Sequence, residues 1–290
     1  MTIKHLGKLF KKYRVSRGLT LRDIAEAGIS TSQLSRFEQG KTDLTITRLA
    51  LVLEEMNVPI AEFMHVAGDS QRNHLERLLE RIHYYHSVQD IAGLEYLLAA
   101  ERADNTANEL FQHLNTILIR IYLHDLSKED DDLADELAYL SEYLFSVENW
   151  GCYELLLFKN AFVAFNYKTF MRLSEGLSQR TAVYQDLPAN RQLRLDILLN
   201  GYLMCIERDE LPDALYFEKQ LTAASLTETE LYERLVFHYG KYFYQFKKSQ
   251  SEQAILEMQN AIKVLTLASS DQLAQKYQKH LERLIGKGKE

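Results

Sequence analysis

The stretch Gly28–Lys41, GISTSQLSRFEQGK, sets small hydroxyl residues, one Gln and one Arg along a single helical face and then stops at Gln39-Gly40-Lys41. Ser30 or Thr31 serves as N-cap, because a side-chain oxygen there accepts a first-turn N–H, and Gly40 supplies a left-handed stop. Leu34 and Phe37 face inward at helical spacing, while Thr31, Ser32, Ser35 and Arg36 face outward. Just upstream Thr20 caps LRDIAEAG, with Asp23 at its third position in a capping-box-like start and Gly28 as its end. Two short helices, 20–27 and 31–39, joined by a tight turn containing Gly make a helix-turn-helix.

The flanks complete a five-helix head. Residues 6–17 place Leu6, Leu9, Phe10 and Tyr13 on one face with lysines opposite, and Gly18 ends that helix. A Thr-led segment, TITRLALVLEEMN, precedes Pro59 and a final IAEFMHVA. In such a head the front end of the second helix enters the major groove. There Ser30, Thr31, Ser32 and Ser35 let the backbone approach phosphates and thymine methyls, and the helix N-terminus itself attracts phosphate. Arg36 can pair bidentately with guanine, a contact worth about 1–3 kcal/mol of discrimination. Gln33 reaches adenine if its side chain points out, or lies along the flank.

RVSRGLTLRDIA followed by ISTSQLSRFEQGK resembles the phage-repressor-like (XRE/Cro) helix-turn-helix family over residues 6–63, with its Arg-x-x-x-Gly-Leu-Thr start and Glu-x-Gly-Lys finish. The resemblance implies a semi-buried ion pair between Arg14 and Glu38 that locks the first helix to the recognition helix. It also implies phosphate contacts from Thr20 and Lys41, and base contacts from Thr31, Ser32 and Arg36.

Charge divides the chain. Residues 1–66 carry ten Lys/Arg against seven Asp/Glu, a net of +3, and the remainder carries 24 against 34, a net of −10. A positive head on a negative body suits an anionic partner for the head alone. At 290 residues two domains are expected, and with only three prolines and 12 glycines the composition favours an all-α chain over a turn-rich one. Cys152 and Cys205 lie far apart and outside any C-x-x-C pair, which suits a reducing compartment. The N-terminus shows no basic-apolar-small leader and there is no apolar run of eighteen residues, so a cytoplasmic protein without a membrane partner is expected.

From residue 73 the pattern is helical to the end. Amphipathic segments fall near 73–86, 89–102, 106–125, 130–146, 151–165, 167–184, 189–207, 211–223, 228–247, 250–267 and 271–286. Taken in pairs, their starts are 33, 45, 38 and 39 residues apart, the spacing of an α-solenoid of stacked helical hairpins. Gly240–Ile262 reads as a tetratricopeptide-like hairpin, with Gly240, Ala254 and Ala261 small where two helices cross, and Asn200–Leu221 repeats the idea with Gly201 and Ala214. The expected organisation is a head at 1–66, a linker at 67–72, and a helical-repeat domain at 73–290 for peptide binding and dimerisation.

Ligands are expected on the first helices of the hairpins. Arg234, Phe237, Lys241 and Tyr244 share a face, and Arg194, Leu198, Tyr202 and Cys205 recur at nearly the same offsets one hairpin earlier. Two such stripes suit a short apolar peptide with a carboxylate end, with Asn160 and Asn200 holding its amides. The alternative for any one of these residues is plain core packing.

The whole chain resembles the Rgg/GadR/MutR regulators, on LSRFEQGKTDLTITRLALVLEEMNVPIAEF and on the body segment NWGCYELLLFKNAF, Asn149–Phe162. That resemblance implies a homodimeric transcription regulator on double-stranded promoter DNA whose body binds a short hydrophobic signalling peptide. No catalytic constellation, nucleotide loop or metal set is present in the sequence, so neither enzyme activity nor a cofactor is expected. His83 and His86 lack partners at metal-site spacing, and KEDDDLADE, Lys128–Glu136, lacks the Gly and closing Glu of an EF-hand. The competing reading is a helical-repeat scaffold dimerised through its head.

Overall fold

The computed structural model describes residues 2–25, 28–68, 74–127 and 132–287. Among them every regular element is helical, and the chain divides into two compact units, residues 1–77 and 78–290. The expected linker falls, from residue 69 onward, outside the described residues, as do 128–131 of the acidic run.

The first unit packs α1 (Ile3–Ser16), α2 (Thr31–Glu38), α3 (Ile46–Glu55) and α4 (Ile60–Ala67) around Phe10, Leu34, Phe37, Val52, Leu53 and Phe63, each at most 1% exposed. Phe10 meets Phe37 edge-on with centroids 5.4 Å apart. A Cβ on Gly7 would collide with the Phe37 carbonyl oxygen, so α1 and α2 approach at backbone distance. Residues 20–25 differ from the helix expected there. The reciprocal Thr20–Asp23 capping bonds form at 2.6 and 3.4 Å, yet the backbone beyond the cap runs through turns, in which Ala25 N–H donates to Arg22 O. Buried Ile24 anchors the segment, and residues 26 and 27 of the expected helix lie outside the described residues.

The second unit holds the rest of α5 (His74–Ser87) and then α6 (Ile91–Ala103), α7 (Glu109–Ser127), α8 (Ala134–Ser146), α9 (Cys152–Ala161), α10 (Tyr167–Glu175), α11 (Leu177–Arg180), a 3-10 turn at Ala182–Tyr184, α12 (Pro188–Glu207), α13 (Leu211–Ala223), α14 (Leu231–Ser249), α15 (Glu252–Leu267) and α16 (Asp271–Lys287). These match the segments read from periodicity, except that the one expected at 167–184 breaks at Gly176 into α10, α11 and the 3-10 turn. Hairpins α12·α13 and α14·α15 pack closely, α6 packs on α7 of the next hairpin, and the first helices α7, α9, α12 and α14 stack in series. Close approach is arranged by two glycines. A Cβ on Gly201 would lie 2.5 Å from the Phe217 ring of α13, and one on Gly240 would lie 2.7 Å from the Tyr202 ring of α12.

Polar bonds between successive first helices join residues 37 to 41 apart. They include Tyr122–Asn160, Tyr153–Asn115, Lys159–Asp196, Arg191–Glu230, Gln192–Glu233 and Tyr239–His280. Arg191 binds Glu230 through two nitrogens, at 2.6 and 2.8 Å, and holds that carboxyl down to about 2 from an ordinary value near 4.5. A carboxylate depressed on folding stabilises above its unfolded pKa and loses that contribution as pH falls through the folded value. Glu230→Gln should therefore lower the melting temperature at pH 7. It should also flatten the loss of stability between pH 4.5 and about 2, as read by circular-dichroism melts across that range.

Candidate nucleic-acid interface and ligand cleft

Helix α2 is built as the sequence predicts. Ser30 caps it, its Oγ accepting from Gln33 N–H at 3.2 Å, and Gly40 (φ +70°) ends it with Gly40 N–H donating to Phe37 O and Lys41 N–H to Arg36 O, both at 2.8 Å. Leu34, Phe37 and Glu38 are buried; Thr31, Ser32, Arg36 and Lys41 are exposed, and Gln33 and Ser35 are half-buried. Ser32 and Ser30 share a hydroxyl contact of 3.0 Å, and Ser35 Oγ accepts from Gln39 at 3.1 Å. Thr20 is exposed, its oxygen accepting from Asp23 N–H, which leaves the hydroxyl hydrogen for a phosphate. The result is a short helix whose N-terminus carries hydroxyls, whose last turn carries one exposed cation, Arg36, and whose back is sealed.

The seal is an ion pair. Arg14 Nε and Nη2 donate to Glu38 Oε1 and Oε2 at 2.6 and 3.0 Å, and Nη1 donates to Leu19 O at 2.7 Å. Both side chains are about nine-tenths buried, at 11% and 6% exposure, and the bonds to Glu38 hold the guanidinium above its ordinary range. One residue thus ties α1 to the last turn of α2 and to the turn that opens the 20–25 segment.

In the second unit the predicted ligand residues separate. Leu198, Tyr202, Cys205 and Phe237 are core. Tyr202 meets Phe237 edge-on at 5.8 Å and donates to Glu218, and burial pushes the Cys205 thiol up to about 11. Asn200 and Tyr244 are half-buried. Arg194 is also half-buried, and its Nε finds no hydrogen-bond acceptor. Arg234, Phe237 and Lys241 line a groove with Leu221 and Thr222 of α13, on the side of α14 that meets a second helix.

Asn160 lies elsewhere, in a cleft of about 970 Å³ formed by α7, α8, α9 and the turn into α10. Its walls are largely apolar, with Ile121, Leu137, Phe162 and Phe165, and its polar groups include Tyr122, Asp125, Lys159 and Asn166. Tyr122 OH donates to Asn160 Oδ1 at 2.9 Å, His83 Nε2 lies 2.8 Å from the same oxygen, and Asn160 Nδ2 donates to Leu156 O. One Nδ2 hydrogen is left over, a single donor suited to a carbonyl. Burial pushes Tyr122 up to about 12, so it stays a neutral donor. His86 joins Asp125 at the rim at 2.7 Å. Sequence reading sets His83 and His86 aside as a weak metal pair and overlooks Tyr122 and Asp125; the 38- and 39-residue repeat offset linking them is the signal available.

The segment NWGCYELLLFKNAF frames this cleft. Trp150 is fully buried, its Nε1 donating to Leu144 O and its backbone N–H to Arg180 O. Arg180 in turn donates to the carbonyls of Leu144, Phe145 and Val147 at the end of α8, and lies 5.4 Å from the Trp150 ring. Glu154 accepts from Gly151 N–H and from Tyr143 OH, closing the first turn of α9.

Comparison with known proteins decides the family. The model for the C-terminal domain of the HTH-type transcriptional regulator Rgg matches residues 97–279, and a helix-turn-helix model matches residues 10–63. The chain belongs to the Rgg family of helix-turn-helix transcriptional regulators. Among solved structures, the Streptococcus dysgalactiae SHP pheromone receptor Rgg2 is 25% identical with a TM-score of 0.83, covering 96% of this chain and 99% of its own. A chain from Listeria monocytogenes EGD-e, 18% identical with a TM-score of 0.85 and 98% coverage of both, shares the fold. So does PrgX in its complex with iCF10, at 14% identity and 0.78, covering 98% of this chain and 97% of its own. Among the described residues no helix is long and apolar enough to cross a membrane, and no three His, Cys, Asp or Glu residues are grouped to hold a metal.

Replacing Arg14 by Leu strands the Glu38 carboxylate in the head core. Breaking one side of a buried pair costs about 3–5 kcal/mol. Arg14→Leu should therefore unfold or loosen residues 1–77 while the body retains its helices, read as a lost low-temperature transition in calorimetry and as lost DNA binding.

Proposed function

We propose that this Rgg-family regulator binds promoter DNA sequence-specifically as a homodimer and that its repeat unit takes a short hydrophobic signalling peptide. The observation that carries the DNA reading is the outward face of α2, where Thr31, Ser32 and Arg36 stand exposed over a helix clamped from behind by Arg14 and Glu38. Arg36 reads a base, while Thr20, Ser30 and Lys41 position the helix on phosphates. Two heads placed on one duplex call for half-sites ~34 Å apart or a multiple of that. Promoter DNA from beside the protein's own gene, titrated against random duplex at several salt concentrations, tests this. Arg36→Ala should cost ~1–3 kcal/mol at one base position and relax specificity there. Lys41→Ala should weaken all sequences alike and reduce the salt slope by about 1. Equal binding to promoter and random DNA would sink the reading.

The peptide reading is supported by the cleft beside Asn160, whose size and mostly apolar walls fit a few apolar residues and whose few polar groups include a donor for a peptide carbonyl. The pheromone receptor and the peptide complex among the structural relatives support it as well. Asn160→Leu should remove binding of a short apolar peptide encoded near the gene, measured by calorimetry on the whole protein, with DNA affinity in the absence of peptide unchanged. An unaltered dissociation constant would remove Asn160 from the site.

A further inference from the structure

A second concave site lies between α13 and α14, and no residue lines both it and the cleft of Asn160. Leu221, Leu226 and Phe237 give it an apolar wall, Arg234 and Lys241 give it cations, and His238 lies beside them, around a volume of about 290 Å³. The Lys241 ammonium sits 4.4 Å from the Phe237 ring centroid, which marks one end of the floor as a place where positive charge already lies over an apolar surface. Arg234 and Lys241 are exposed and neither is joined to a carboxylate among the described residues; His238 has Glu257 at 3.6 Å.

Arg234 and Lys241 lie in a part of the chain whose net charge is −10. Arg191 does have its counter-charge, in Glu230, and it also donates to Ala224 O and Ser225 O of the loop that supplies Leu226. Arg194, one turn further along α12 and one repeat before Arg234, has no such partner: burial and neighbouring Arg191 both disfavour its charge.

We propose that the α13–α14 groove binds an apolar carboxylate, with its hydrocarbon part against Leu221, Leu226 and Phe237 and its carboxylate on Arg234 and Lys241. An Arg beside a Lys holds a carboxylate through charge-assisted bonds, and the apolar wall separates such a ligand from phosphate, sulfate or acetate. A free apolar acid and the C-terminus of a peptide ending in an apolar residue offer the same group. The site stands apart from the cleft of Asn160 and does not depend on a peptide binding there.

Calorimetric titration of the full-length protein with 4-phenylbutyrate, with its amide and with acetate reads the proposal directly. The acid should bind at least tenfold more tightly than the amide or acetate. Arg234→Glu combined with Lys241→Glu should abolish that binding, as should Thr222→Trp, which fills the groove, whereas Asn160→Leu should leave it unchanged. Far-UV circular dichroism checks that each variant is folded. Displacement of 4-phenylbutyrate by acetyl-trileucine with a free, but not an amidated, C-terminus assigns the groove to peptide ends; binding of the small acid without such displacement assigns it to free acids. Equal binding of acid and amide, or acid binding that survives both the charge reversals and the Trp in folded protein, overturns the proposal.

Discussion

The repeat unit is held in register by polar side chains that have to meet across neighbouring first helices. Asn115, Asn160, Glu233 and Tyr239 are buried, and Tyr122 and Tyr153 reach the first two of them from half-buried positions. A buried polar group left without a partner costs about 1–3 kcal/mol, so each of these residues is tolerated only if its partner arrives one repeat away. A shift of one helix by a single residue along its neighbour would break several such bonds together. The constraint explains how hairpins with little sequence likeness still stack at a common spacing.

The same constraint shows where sequence reading succeeds and where it stops. The head is legible because its signals are local: a hydroxyl cap at Ser30, glycines at Gly18, Gly28 and Gly40 with φ near +70°, and apolar residues on one face only. The helices of the body are legible from periodicity for the same reason. Their functional faces are not. Helix α12 is buried at Leu195, Ile197, Leu198, Leu199, Tyr202 and Cys205, which spread over a broad arc of its surface, because it packs against α9, α13 and α14 at once. A helix covered on several sides has no single apolar stripe, and a stripe of Leu198, Tyr202 and Cys205 then says core as readily as ligand surface. The segment after Thr20 is a different case: its cap forms as read, but the backbone that follows runs through turns.

Turns tell a related story. With 12 glycines in the chain, several hairpins close on other residues: Gln89 after α5, Asp209 after α12 and Gln250 after α14 all take left-handed backbone. A side chain there costs about 1–2 kcal/mol relative to a right-handed position, which the packing of two long helices outweighs. Such turns carry no glycine to announce them, and polar runs place the helix ends of the body only to within a few residues.

Trp150 is the chain's sole tryptophan, and it is wedged between the end of α8, Arg180 and the start of α9, the two helices that form much of the cleft wall. Its emission therefore comes from one known place, shielded from solvent and bathed in the field of a guanidinium. Movement of α8 against α9 changes that field and the wavelength of the emitted light together. The protein carries its own optical gauge of how far the cleft is open.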